Sequence, residues 1–385
     1  MNGRRRQCLE AWTGKSFWDR KKQDVFSEAS RDGFTAVPKG LPRPSLRVLL
    51  VCLTAIVSQR AHAAVNDPVP LDVHRPDVIE FILQMHDKYA FDVSALTNEF
   101  ADVRIQPATL DAISRPAEKA LTWPEYRARF VTDQRLAEGL AFWAAHRELL
   151  DSVVESRGVP AEIVLGILGV ETSFGRIVGK YRVIDALATL AFDYPPRAAY
   201  FRNELEQLLL LSREESVDPR TVVGSYAGAM GAAQFMPSSY RRYAIDATAD
   251  GKRDLWSDWG DVFGSIANYL QVHGWASGEP VLATAAIDQS HAHDLDPRKV
   301  ALDETVASLR AKGVRFETSL GPDAPAMLIV AEQPDSVAFR VGFRNFYTLT
   351  RYNRSPLYSM AVTDLAAELA NRAAGVAPAS QAATQ

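Results

Sequence analysis

Apolar residues recur at helical spacing from Pro76 to about Leu211: Val78, Phe81, Ile82 and Met85 do so in one stretch, and Leu136, Leu140, Phe142 and Trp143 in another. Thr122-Trp-Pro-Glu-Tyr126 has the form of a helix start, with Thr122 as N-cap and Glu125 three residues on. Gly158-Val-Pro160 opens a further helix with its body at residues 161–170, and residues 185–192 and 197–211 read as two more. The periodicity then breaks. Residues 224–237 are rich in Gly and small side chains, residues 246–258 form an Asp-rich loop, and residues 262–272 return to helix. From Ala276 to Arg344 the pattern shifts to short β-type runs (281–285, 326–331 and 337–341) around one helix, 303–312, that stops at Gly313. A last helix, 357–373, precedes an Ala-rich tail, 374–385, expected to be disordered. The prediction is a mainly α protein of α+β type. A helical part spans 72–275, a small α+β insertion 276–345, and a closing motif and helix 346–373.

The composition, 385 residues of which 47% are hydrophobic and 23% charged, excludes a disordered or fibrous chain. The formal charge of −4 is unevenly spread: residues 1–63 hold 12 Lys/Arg against five Asp/Glu, and the remainder holds 31 against 42. So acidic a body argues against nucleic acid as a partner, because counterion release needs clustered cations. Residues 48–57 form a short apolar run after Arg43 and Arg47 and before Ala61-His-Ala63. That arrangement predicts a leader, residues 1–63, ending in a secretory signal peptide cut after Ala63; a buried N-terminal helix is the alternative. A membrane span would need about 20 apolar residues, which no later segment supplies. Cys8 and Cys52 both lie in the leader, so the exported chain is expected to carry no disulfide. The residues before Cys52 lack the small side chains that lipid attachment needs, and no membrane anchor is predicted.

Glu171 stands out because it follows Ile163-Val-Leu-Gly-Ile-Leu-Gly-Val170, eight residues without a polar side chain. A helix apolar all round is buried on all sides, so its last turn carries a carboxyl group into a largely dry place. Desolvation and the negative end of the helix both favour the protonated acid there, which suits a general acid. A structural Glu paired with Arg176 or Arg182 fits the same residues equally well.

Five motifs carry a resemblance that separates these readings. Gly166-Ile-Leu-Gly-Val-Glu171-Thr-Ser-Phe-Gly175 resembles the Glu-Thr/Ser-x-x-Gly motif of soluble lytic transglycosylases, specifically the lytic murein transglycosylase B family. Gly224-Ser-Tyr-Ala-Gly-Ala-Met-Gly-Ala-Ala-Gln-Phe-Met-Pro-Ser-Ser239 is similar to a second family signature. Asp254-Leu-Trp256, Ala267-Asn-Tyr-Leu-Gln-Val-His-Gly-Trp275 and Tyr352-Asn-Arg-Ser-Pro-Leu-Tyr358 resemble the rest, in the family's order, over roughly residues 72–372.

The resemblance implies a lysozyme-like helical core acting in the periplasm on peptidoglycan glycan strands. Such enzymes cleave the β-1,4 bond between N-acetylmuramic acid and N-acetylglucosamine without water and leave a 1,6-anhydro ring. By that analogy Glu171 serves first as acid, then as base, where ordinary glycosidases use two carboxyl groups. Ser225, Gln234, Phe235, Asn353, Tyr352, Tyr358, Tyr126 and Tyr269 match the family's substrate-binding positions. Two positions depart from the pattern: Tyr226 replaces the usual Trp, and residues 256–261 are one residue longer than usual. A hydrolytic muramidase and a catalytically silent peptidoglycan-binding scaffold are the alternatives.

Asp246-x-Thr248-x-Asp250-Gly251-x-x-Asp254 has the form of an EF-hand loop, and some family members bind calcium here. This copy has Thr at the third position and Ser257 where a bidentate Glu would stand, so weak calcium binding is possible but not expected. No cofactor is expected to be required. His273 has no second His at ligand spacing, and no metal site is assigned.

Overall fold

The computed structural model describes residues 67–114, 121–287, 295–334 and 336–375. The predicted leader with both cysteines, and the tail beyond residue 375, lie outside the described residues.

The N-terminal periodicity appears as helices buried on the predicted face. Strand β1 (Val69–Pro70) pairs antiparallel with β2 (Arg104–Ile105), and between them run α1 (Pro76–Tyr89) and α2 (Val93–Ala101). Val78, Phe81, Ile82 and Met85 are the buried positions of α1. After α3 (Pro107–Ser114), α4 (Trp123–Arg127) begins where its cap residues predict. The Glu125 carboxylate accepts from the Thr122 backbone N–H at 2.8 Å and from the Thr122 hydroxyl at 2.7 Å. Then come α5 (Asp133–Ala145), α6 (Arg147–Arg157) and α7 (Ala161–Thr172), the last buried at every residue from Ile163 to Gly169. Strand β3 (Tyr181–Arg182) leads into α8 (Val183–Asp193) and α9 (Ala198–Glu215), and β4 (Val223–Gly224) returns to pair with β3. Helices α10 (Pro237–Tyr243) and α11 (Trp259–Val272) flank the Asp-rich loop.

The insertion is an antiparallel sheet of five strands, two more than the pattern predicts. They are β5 (Leu282–Ile287), β6 (Glu304–Thr305), β7 (Val314–Phe316), β8 (Pro325–Glu332) and β9 (Val337–Phe343), in the order β6-β8-β9-β5-β7. The helix predicted at 303–312 is shorter, α12 (Val306–Ala311), because its first residues pair as β6. Alternation along β8 sorts the sheet's two faces. Ala326 and Leu328 join Val306, Leu309 and Phe343 in one core, while Met327, Ile329 and Ala331 pack with Trp123, Tyr126, Phe346 and Met360 in another. The second face therefore fastens the insertion to α4 and to the two closing helices, α13 (Arg344–Tyr352) and α14 (Pro356–Ala373).

Helix α14 also supports α7. A side chain at Gly166 would place its Cβ 2.6 Å from the Val362 carbonyl oxygen, so only glycine permits this approach of the two helices. Ile163, Val164, Leu165, Ile167 and Leu168 are all at most 5% exposed. Burial of side chains this size stabilises by roughly 1.5–3 kcal/mol each. That burial fixes the rod that ends in Glu171.

Candidate active site

Helix α7 continues through Glu171 to Thr172, two residues beyond its predicted body, and Glu171 is half-buried. The chain then turns sharply through two consecutive left-handed residues, Ser173 (φ 50°) and Phe174 (φ 58°). A non-glycine residue in that region costs about 1–3 kcal/mol and persists only where its surroundings enforce it. Here the Phe174 N–H is held by the Leu168 carbonyl at 3.0 Å and the Ile177 N–H by the Thr172 carbonyl at 2.9 Å. The two arginines of the structural alternative are engaged elsewhere. Arg176 donates to Glu138, and Arg182 donates to Asp102 at 2.9 Å and lies 3.7 Å from Asp185. Arg135, a residue the sequence did not single out, donates to the Gly169 carbonyl near the end of α7. A cation there offsets the negative helix end beside Glu171.

Residues 224–236 approach this helix end as a chain of tight turns. Ser225 N–H donates to the Ala229 carbonyl at 2.9 Å, and its Oγ accepts from the Ala229 N–H at 3.0 Å and the Ala227 N–H at 3.3 Å. Met230 and Phe235 exchange backbone hydrogen bonds at 2.8 and 3.0 Å, with Gln234 between them at φ 51°. The Gln234 amide donates to the carbonyls of Gly231 at 2.9 Å and Val178 at 3.1 Å. Gly179 is where the two segments cross: at φ 106° its Cβ would lie 2.0 Å from the Gly224 carbonyl oxygen.

Thr172 is the tether that joins these halves. Its buried hydroxyl donates to the Ala232 carbonyl at 3.0 Å and accepts from the Gly175 N–H at 2.9 Å. The next carbonyl, Ala233, accepts from the Tyr352 hydroxyl at 2.6 Å, and the Ala232 N–H donates to the Leu255 carbonyl at 2.8 Å. The only signal for Thr172 in the sequence is its place inside the Glu-Thr motif.

The closing motif brings aromatic rings to Glu171. The Tyr352 ring lies 5.7 Å from Phe235, 4.9 Å from Tyr269 and 6.4 Å, nearly parallel, from Tyr358. Phe235, Tyr269, Tyr126 and Tyr358 are all buried, at 2%, 7%, 4% and 2% exposure. Tyr269 donates its hydroxyl to the Arg351 carbonyl at 2.6 Å. Burial, then the charge of Glu171, holds the Tyr352 phenol well above its ordinary pKa. The same two causes act on Tyr358, followed by the Tyr352 phenol and an approach to Glu171 that stops short of regular hydrogen-bond geometry. Both tyrosines are therefore neutral phenols, able to donate but not to compete for the negative charge. Asn353 is half-buried, and its side-chain oxygen accepts from the Ser355 N–H at 3.0 Å. His273 belongs to the scaffold: its ring stacks on Tyr269 at 4.1 Å, its Nδ1 contacts the Tyr269 carbonyl at 2.7 Å and its Nε2 the Tyr243 hydroxyl at 3.4 Å.

The Asp-rich loop is closed by its own hydrogen bonds. Asp246 accepts from the N–H groups of Asp250 and Gly251, and Asp254 from those of Trp256 and Ser257. Buried Asp261 accepts from Ala247 and Asp254. Among the described residues no group of three or more His, Cys, Asp or Glu side chains is placed to hold a metal ion. Thr248 and Ser257 stand at two positions of the loop where an EF-hand commonly carries carboxylate ligands.

The Glu171 carboxyl, near the end of a buried helix, thus stands beside two neutral tyrosines, and the next residue, Thr172, tethers the glycine-rich segment. Residues 74–367 match the family described as Transglycosylase SLT domain. The chain belongs to this transglycosylase family. It is 39% identical over 305 residues to membrane-bound lytic murein transglycosylase B of Escherichia coli, covering 76% of this chain and 82% of that protein. The crystal structure of soluble lytic transglycosylase SltB1 from Pseudomonas aeruginosa superposes with a TM-score of 0.74 at 48% identity, over 78% of this chain and 100% of that one. That of SltB3 from Pseudomonas aeruginosa, in complex with NAG-anhNAM-pentapeptide, gives a TM-score of 0.64 at 27% identity, over 76% and 78%. This transglycosylase is a lytic enzyme of murein with a lysozyme-like, mainly helical fold.

Proposed function

We propose that Glu171 carries out both proton transfers of a non-hydrolytic cleavage of the β-1,4 bond between N-acetylmuramic acid and N-acetylglucosamine. As the acid it protonates the bridging oxygen while the bond from that oxygen to C1 breaks and the acetamido oxygen stabilises C1. As carboxylate it then takes the proton of the muramic C6 hydroxyl as O6 bonds to C1, which restores the acid and leaves a 1,6-anhydro ring. The observation that carries this reading is the placement of Glu171 at the end of a buried helix beside the raised-pKa phenols Tyr352 and Tyr358. A group with one neutral and one charged role needs an environment that admits both, and phenol donors support the carboxylate without removing it.

In this reading Tyr352, Tyr358 and Asn353 form one wall of the sugar cleft and Ser225 and Gln234 the opposite one, with Phe235, Tyr126 and Tyr269 shaping them from behind. The relative bound to NAG-anhNAM-pentapeptide makes a peptidoglycan strand with an anhydro end the natural product class. No helix among the described residues is long and apolar enough to cross a membrane, which accords with export to the periplasm. Lysis requires no calcium at the loop at 246–258, so a chelator is expected to leave it unchanged. Mass spectrometry of the fragments released from purified sacculi tests the central step. Anhydro ends, one water lighter than reducing ends, are expected; reducing ends would make the enzyme a hydrolytic muramidase instead.

A further inference from the structure

A cavity of about 410 Å³ opens between the C-terminal part of α9, the connector from α9 to β4, α10, and residues 252–256 of the Asp-rich loop. None of the side chains placed around Glu171 lines it. Its volume is that of a small-molecule site, for which about 300–1,000 Å³ is usual. The interior is apolar: Leu208, Leu211 and Val222 are buried there beside the Tyr240 ring. Trp256, half-buried, leans against Tyr240 with ring centroids 5.6 Å apart and 34° between planes.

The charges around the opening cancel. Arg253 is paired with Glu215, and Lys252 is matched by Asp254. An anionic peptide or phosphate would favour a net positive rim, and a neutral polar ligand fits this one better. The rim also has hydrogen-bonding capacity left over. Within the described residues the Trp256 indole N–H, the Lys252 ammonium and the hydroxyls of Ser212 and Ser216 make no hydrogen bond to the protein. Hexose rings have an apolar C–H face that lies on an aromatic ring and an edge of hydroxyls that seeks such donors and acceptors. An acetamido methyl adds a group that an aliphatic interior accommodates.

We propose that this cavity is a saccharide subsite, separate from the cleavage site, that takes N-acetylhexosamine units of a β-1,4-linked glycan. The choice of sugar rests on the function proposed above; the neutral rim and aromatic wall stand without it. A strand held at a second point is presented to Glu171 at a raised effective concentration. The family signature Asp254-Leu-Trp256 then gains a role that the cleavage chemistry does not supply.

The test is an NMR titration of the full chain carrying Glu171→Gln with the β-1,4-linked trimer of N-acetylglucosamine. The indole N–H resonance of Trp256 is identified by its loss in Trp256→Phe. It is expected to shift saturably. Ser212→Leu fills the cavity from α9 and is expected to abolish that shift while indoles elsewhere still respond. Lys252→Ala, at an exposed position, is expected to weaken binding about three-fold, as loss of one exposed contact does. A Trp256 resonance that stays still, or one whose shift survives Ser212→Leu, overturns the proposal. The readout does not depend on turnover, so a hydrolytic product from sacculi would refute the cleavage chemistry and leave this result standing.

Discussion

Helix α7 and the segment 224–236 bring two halves of one site together by opposite means. The helix is placed by dispersed apolar contacts along its whole length, with α14 close against Gly166. The segment has small side chains, and discrete hydrogen bonds set its shape: Ser225 with Ala229, Met230 with Phe235, and tethers from Thr172, Tyr352 and Leu255 to Ala232 and Ala233. Many weak contacts tolerate the loss of one; a few directed bonds do not. Glu171, the proposed proton carrier, thus sits on the robust half, and the other half is the one that single substitutions can detune.

The largest effect should come from the robust half, and in chemistry rather than stability. Glu171→Gln keeps the shape and removes the proton, so release of fragments from sacculi should fall by ~10²–10⁴-fold or more, the usual worth of general acid–base catalysis. The thermal midpoint should stay near that of the parent, because the rod beneath residue 171 is untouched. A large fall in midpoint would mean that Glu171 is a structural anchor after all.

Next comes the crossing point of the two halves. Gly179→Ala introduces a Cβ that would lie 2.0 Å from the Gly224 carbonyl oxygen and also strains a φ of 106°. Overpacking and left-handed strain each cost about 1–3 kcal/mol, so a loss of about 2 kcal/mol or more is expected in denaturant unfolding. An alanine variant as stable as the parent would show that the segments cross less tightly than this.

The contrast also explains what could be read from the sequence. A periodic apolar pattern reports burial, so α1, α7, α11 and α14 and the residue at the end of α7 were legible, as were β8 and β9 within a residue or two. Strands β6 and β7 were not, because two or three residues carry no period. Helix α13 is hidden in the sequence because it straddles the end of the strand-rich insertion and the start of the closing motif. Within the site the residue types were legible but their hydrogen bonds were not. Nothing in a sequence says that the Ser225 hydroxyl caps its own turn, or that Thr172 reaches a carbonyl 60 residues away. Directed bonds depend on coordinates that burial patterns do not encode.

Thr172 sharpens the comparison further. Thr172→Val keeps the volume but leaves the Ala232 carbonyl without its donor and the Gly175 N–H without its acceptor, each at about 1–3 kcal/mol when buried. The site should loosen while sugar binding persists, so kcat should fall about tenfold with KM little changed. Thr172→Ser, which restores the hydroxyl, should recover most of the rate. If Val and Ser variants behave alike, packing rather than the tether matters there.

The smallest expected effect concerns how the segment leaves the site into α10. Glu204, 2% exposed on α9, accepts from the Ser238 N–H at 2.9 Å and from its hydroxyl at 2.7 Å, which anchors the first turn of α10 just after Phe235. Burial raises its pKa above the ordinary 4.5, and these hydrogen bonds only partly oppose the rise. The folded chain therefore keeps a proton that the unfolded chain has already released. Stability falls as pH rises from about 4.5 to the folded-state value and is level beyond it, because the unfolded state binds fewer protons within that window. Glu204→Gln cannot ionise, so it should lose this slope. Asp185 and Asp261, also buried with raised pKa values, contribute slopes of the same sign to both proteins and cancel in the difference. Denaturant midpoints measured across the mildly acidic range should converge for parent and variant at the low end and separate as pH rises, with the variant the more stable. Parallel curves would mean that Ser238 holds Glu204 ionised throughout, and that the exit from the site is an ion-anchored joint rather than a pH-sensitive one.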